Sequence, residues 1–303
     1  NMKSDNLKES RNIEDRRGQS YSQSSGNSNL GGGILQILLS PGSFKSKIII
    51  ILLMVLLGGG ASLGGLFGNG TSQPYQSTQV TRTNKTHVDD ADAQFVSKVL
   101  GTTEDHWHKV FQAEGRTYQE PKLVFYTGRT KTGCGVGQAS AGPFYCPTDK
   151  KIYLDMSFYK ELTTKYKASG DFAMAYVIAH EVGHHVQNEL GILGKYHRMQ
   201  QGLSEKERNA ISVRIELQAD YLAGVWARSI QDRNLLDIGD IEEAMNAAHA
   251  VGDDTLQEQA YGYSVPDSFT HGTSEQRMRW FKRGYQYGDL QHGDTFSLSD
   301  SEL

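Results

Sequence analysis

The spacing of apolar and polar residues changes character several times along this 303-residue chain. Ile48 to Leu57, IIIILLMVLL, has no polar position at all, and the uncharged run continues through a glycine-rich half to Phe67. Twenty such residues match the thickness of a bilayer core when helical, so the pattern predicts a transmembrane signal anchor over 48–67 that stays attached. A cleaved signal ending near Ala61-Ser62 and a buried core helix are the alternatives. Lys45 and Lys47 abut the run, whereas the first cation beyond it is Arg82. That bias keeps the N-terminus in the cytoplasm and sends the following domain to the periplasmic or extracellular side of the cell membrane, a single-pass arrangement. Residues 1–47 are polar and rich in Ser, Asn and Gly, which predicts a disordered cytoplasmic tail. Residues 68–87 lack periodicity and read as a linker, leaving 88–303 as the folded domain.

Within that domain, "DADAQFVSKVLG" and "TTEDHWHKVFQAEG" carry helical periods and each meets a glycine, predicting two helices. "KLVFYTG" reads as a short strand and "GPFYCPTDKKIYLD" as a hairpin with apolar positions on both sides of a polar turn. "SFYKELTTKYKASG" is expected to be helical up to Gly170, and a long helix follows over 172–190 with Gly191 at its end. Ser204 and Glu207 form a capping-box pattern at the start of a further helix of about seven turns. Two or three more helices follow, one opened by Thr273 and Gln276. Early strands and late helices give a helix-dominated α+β domain.

A net charge of −4 gives no electrostatic reason to expect a nucleic-acid partner. The basic aromatic stretch "RMRWFKRGYQY" does not change this, because Met278, Trp280, Phe281 and Tyr285 fall on one helical face suited to a core. Cys134 and Cys146 are the two cysteines and neither belongs to a CxxC pair, so a thiolate zinc site is excluded. In an exported domain they are expected to form a disulfide closing a short loop, worth about 3 kcal/mol.

The candidate chemistry lies in "AYVIAHEVGHHVQNEL", residues 175–190. His180 and His184 are four residues apart and share one helical face, so two imidazoles can reach one cation. His185 is turned about 140° from His180 and is expected to pack elsewhere. Glu181 stands beside the pair, where it can act as general base towards water acidified by zinc, the HExxH arrangement. Apolar neighbours on both sides imply burial, and buried histidines beside a glutamate are costly without a metal. A catalytic zinc needs a third protein ligand and an open position. Gln187 and Leu190 stand where the extended metzincin pattern needs Gly and His. "RIELQADYLAGVWA" instead offers Glu216 as third ligand, with Asp220 one turn on to orient a liganding histidine. His249 is the alternative third ligand. One Zn²⁺ per chain is expected.

HEVGH followed by ELQAD resembles the gluzincin branch of zinc metallopeptidases. The chain more closely resembles the bacterial family of putative neutral zinc metallopeptidases, through "RNIEDRRG", the hydrophobic segment, "GPFYCPTDKKIYLD", "AHEVGHHVQ", "ELQADYLAGVWA" and "HGTSEQRMRWF". The resemblance implies a zincin-like, membrane-anchored zinc peptidase of the cell envelope acting on peptide or protein substrates. By the same likeness, His271 is expected to stabilise the oxyanion with Arg277 in support. The segment 152–155 is expected to present an edge strand to an extended peptide, with Tyr153 near the cleft. An inactive zinc-binding scaffold or a membrane-tethered chaperone is the competing class of function. Glu181 argues against both, as does a ligand set that leaves a zinc coordination position open.

Overall fold

The computed structural model describes residues 1–19 and 90–303. Along the chain these form β1 (Ile13–Asp15), α1 (Ala91–Ala113), β2 (Lys122–Tyr126), β3 (Arg129–Thr132), β4 (Gly135–Gln138), β5 (Phe144–Cys146), β6 (Lys151–Asp155) and α2 (Ser157–Thr164). After them come α3 (Asp171–Glu189), α4 (Ile192–Met199), α5 (Glu205–Asp232), α6 (Asp240–Ala250), α7 (Asp253–Tyr261) and α8 (Ser274–Tyr287). This is a helix-dominated α+β architecture, as the order of patterns predicts. The expected anchor over 48–67, the linker over 68–87 and part of the expected tail lie outside the described residues. Among the described residues no helix is long and apolar enough to cross a membrane.

The sheet has the order β1-β2-β6-β5. β1, β2 and β6 run parallel and β5 pairs antiparallel with β6 at the edge. Because strand side chains alternate in direction, its two faces bury different partners. Ile13, Leu123, Phe125, Ile152 and Leu154 belong to the main core with residues of α1 and α3. Val124, Tyr126, Cys146 and Tyr153 form a separate small cluster with Phe144 and Ala139. The β3–β4 hairpin is tied to β5 by the Cys134–Cys146 disulfide.

Three expectations are corrected. Residues 1–19 are not a disordered tail: β1 lies in register with β2, pairing Ile13 with Leu123 and Asp15 with Phe125, and Met2 is buried in the main core. Burial of these apolar groups offsets the ordering entropy that the polar composition suggested could not be recovered. The two helices expected over 91–114 are one, because Gly101 stays helical in the middle of α1. Tyr153 is not near an exposed edge: β6 is flanked by β2 and β5, and the ring is buried on the face opposite α3. A period of two from Ile152 and Leu154 requires this.

The helices that carry the candidate chemistry cross closely. Ser204 and Glu207 complete the capping box that opens α5. Thr273 and Gln276 do the same for α8. A Cβ on Gly183 of α3 would meet the Ala219 carbonyl oxygen of α5 at 2.9 Å. On the far side of α5, Cβ atoms on Gly224 and Gly284 would overlap the backbone of α8 and α5 respectively. Three glycines therefore let α3, α5 and α8 stack with backbones nearly touching, and Trp280 and Phe281 fill the core beside them.

Candidate active site

His180 and His184 project from α3 towards Glu216 on α5. The Nε2 of His180 is 3.0 Å from one Glu216 oxygen, and the Nε2 of His184 is 3.3 Å from the other. Each imidazole is held from behind through its other nitrogen. His180 Nδ1 is 2.8 Å from Asp220 Oδ1, and because a carboxylate only accepts, the proton must sit on Nδ1. His184 Nδ1 is 2.9 Å from Gln187 Oε1, which fixes the same tautomer. Both Nε2 atoms are thereby turned into the pocket towards the carboxylate of Glu216, where a bound cation would take the place of their protons.

These groups fit zinc. Ligand atoms around a tetrahedral zinc stand about 3.3 Å apart when the bonds are near 2.0–2.1 Å. His180, His184 and Glu216 bring their donor atoms within 4.8 Å of one another. Two imidazoles and one carboxylate leave a fourth position for water or substrate. His249, the alternative ligand, is exposed on α6 and is not in this cluster.

The electrostatics favour positive charge between the helices. Burial opposes a charged His180, yet Asp220 and Glu216 outweigh it and raise its pKa to about 10. Glu216 is desolvated, but His184 and His271 hold its carboxyl well below the usual range. Asp220 is lowered against the same desolvation by Arg277 and His180. Glu181 behaves oppositely: it is buried, and burial pushes its pKa up despite His180 and His184. A carboxylate whose basicity is raised beside the ligand pair is suited to take a proton.

Arg277 from α8 closes the back of the site. Its Nε donates to Asp220 Oδ2 at 2.8 Å, and its Nη2 donates to Asp220 Oδ1 and to the Tyr176 hydroxyl, both at 3.2 Å. It therefore acts through Asp220 rather than towards the pocket. His271 is half exposed, with Nδ1 3.5 Å from Asp253 Oδ1. Asp253 Oδ2 accepts the backbone N–H groups of Thr270, His271 and Gly272, so one carboxylate shapes this whole turn. The charge of His271 is near enough to depress Glu216. His185 points away as expected, bonded to the Tyr145 hydroxyl and the Gln119 carbonyl.

The model of the family described as "Putative neutral zinc metallopeptidase" matches residues 2–296. The chain belongs to that family. Among its relatives, the uncharacterized protein YpfJ of Escherichia coli K12 is 50% identical over 292 residues, covering 96% of this chain and 98% of that protein. The uncharacterized protein Mb2605 of Mycobacterium bovis is 44% identical over 194 residues, covering 60% of this chain and 64% of that protein. No solved structure matches the chain. In this zinc metallopeptidase family member, the pattern of the sequence misses three groups around the ligands. Tyr176 reads as apolar flank, yet its hydroxyl donates to Asp220 Oδ1 at 2.5 Å. Gln187 enters the sequence reading only as a departure from the metzincin pattern and Gln218 not at all, yet Gln187 Nε2 donates to Gln218 Oε1, so they form a buried chain behind His184. The available signal was spacing, since Tyr176 is one turn before His180 and Gln187 three residues after His184.

Proposed function

We propose that this chain is a zinc-dependent endopeptidase of gluzincin type within a zincin-like fold. The observation that carries this reading is the convergence of His180 Nε2, His184 Nε2 and the Glu216 carboxylate, with both imidazoles locked from behind and Glu181 buried alongside. A zinc ion held there would supply a Lewis acid that polarises the peptide carbonyl and acidifies water. Glu181 accepts the proton of the attacking water and delivers it to the leaving amine nitrogen, so that the amide is hydrolysed to an acid and an amine. Asp220 keeps His180 in its binding tautomer, Arg277 holds Asp220, and Gln187 serves His184. His271 is suited to donate to the developing oxyanion from the turn ordered by Asp253. Substrates are extended peptides or unfolded protein segments. The test is Glu181→Gln, which keeps size and packing but cannot accept a proton. The purified variant should retain zinc and fold normally, while digestion of an unstructured protein falls by about 10²–10⁴ and chelator abolishes the activity of the native chain. Equal cleavage by native protein and variant would exclude this mechanism.

A further inference from the structure

The motif "RNIEDRRG" has no part in the proposed catalysis, and the way it is held bears on topology. Three independent sets of contacts fasten residues 1–19 to the domain. The first is the ladder between β1 and β2, continued by Leu123 N–H to Asn12 O at 2.8 Å and Arg16 N–H to Phe125 O at 2.7 Å. The second is polar: Asn12 Nδ2 donates to Glu104 and Glu120, Glu14 pairs with Lys151 at 2.9 Å, and Arg16 donates to Thr130 and the Lys131 carbonyl. The third is a close backbone approach. A Cβ on Gly101 would meet the Lys8 carbonyl oxygen at 2.9 Å, so this mid-helix glycine leaves room for residues 8–10. Glycine there costs about 0.5–1 kcal/mol relative to Ala in a helix, which the docked segment explains. The family match also includes these residues.

A parallel strand pair cannot form across a bilayer core of about 30 Å. Arg17 Nη1 also bonds Asp90 Oδ2, so the N-terminal segment and the start of α1 meet on one surface. We infer that the N-terminal segment and the catalytic domain occupy the same side of any membrane the protein meets. This replaces the arrangement with a cytoplasmic N-terminus and a domain on the far side, which would tear β1 from β2.

The test uses the full chain in its native membrane. Asn6→Cys and Lys160→Cys place single thiols on exposed residues of the N-terminal segment and of the domain. Each is treated with a membrane-impermeant maleimide in intact cells and after lysis. Matching accessibility at both positions supports the inference. Labelling of one in intact cells with the other reached only after lysis overturns it. In purified full-length protein, Ile13→Asp should lower Tm by about 5–10 °C, because it puts a charge in the core beside Leu123. An unchanged Tm would show that the segment is not docked, and would overturn the inference as well.

Discussion

Asp220→Asn removes one charge at the point where three helices meet, and its effects divide into two measurable parts. Asp220 is fully buried and accepts from His180, Tyr176 and twice from Arg277. Every partner is a donor. An asparagine of the same shape can offer one acceptor oxygen, so its amide N–H groups must face a donor on the other side. Arg277, 4% exposed, would then hold a buried charge without a counter-ion. Breaking one side of a buried pair costs about 3–5 kcal/mol. For a domain of this size that is a Tm loss of roughly 6–20 °C. The second part concerns the ligand: His180 loses the carboxylate that fixes its tautomer, which weakens metal binding about 10–100-fold. Chemical denaturation in chelator isolates the first part, and titration against a fluorescent zinc competitor isolates the second. Adding Arg277→Met to Asp220→Asn removes the orphaned cation and should restore about 1–4 kcal/mol, with zinc affinity still low. A single variant that binds zinc within twofold of the native chain would refute the assignment of Asp220 as orienter of His180. Full recovery of zinc affinity in the double variant would show that Asp220 serves only to neutralise Arg277.

Gln187→Ala should weaken zinc binding by at least about tenfold, because His184 Nδ1 loses its acceptor; the same competition titration checks it. Gly284→Ala should destabilise the apo domain by about 1–3 kcal/mol and weaken zinc binding, since α8 must move off α5 and carry Arg277 with it. Gly194→Ala, in an exposed turn of α4 where an added Cβ would meet only the flexible end of Arg198 at 3.4 Å, should be neutral or stabilising by about 0.5–1 kcal/mol in thermal melts. Chelation of the native protein should lower Tm, by roughly 8–16 °C if zinc stands at a thousand times its Kd. A melt unaffected by chelator and by added zinc would exclude the proposed ligand set.

Local rules wrote much of this domain into its sequence. The four-residue spacing of His180 and His184, and that of Glu216 and Asp220, each define a helical face, and that property needs no tertiary contact. The capping boxes at Ser204 and Thr273 likewise bind residues three apart, so the starts of α5 and α8 were legible. The hairpin between β5 and β6 was legible for the same reason. Features that join distant residues were not. The polar composition of residues 1–19 predicts disorder, and only the free edge of β2 with the space above Gly101 orders them. Gly101 reads as a helix end because local propensity cannot register a backbone from ninety residues earlier in the chain. Tyr153 reads as a cleft residue until the sheet order shows β6 in the interior. The contact of Gln187 with His184 is local, but its anchoring by Gln218 exists only once α5 packs against α3. The sequence determined which side chains could bind a metal, because ligand chemistry and helical period are local. The tertiary structure decided that they converge, because that depends on Gly183, Gly224 and Gly284 letting three backbones approach within a side chain's width.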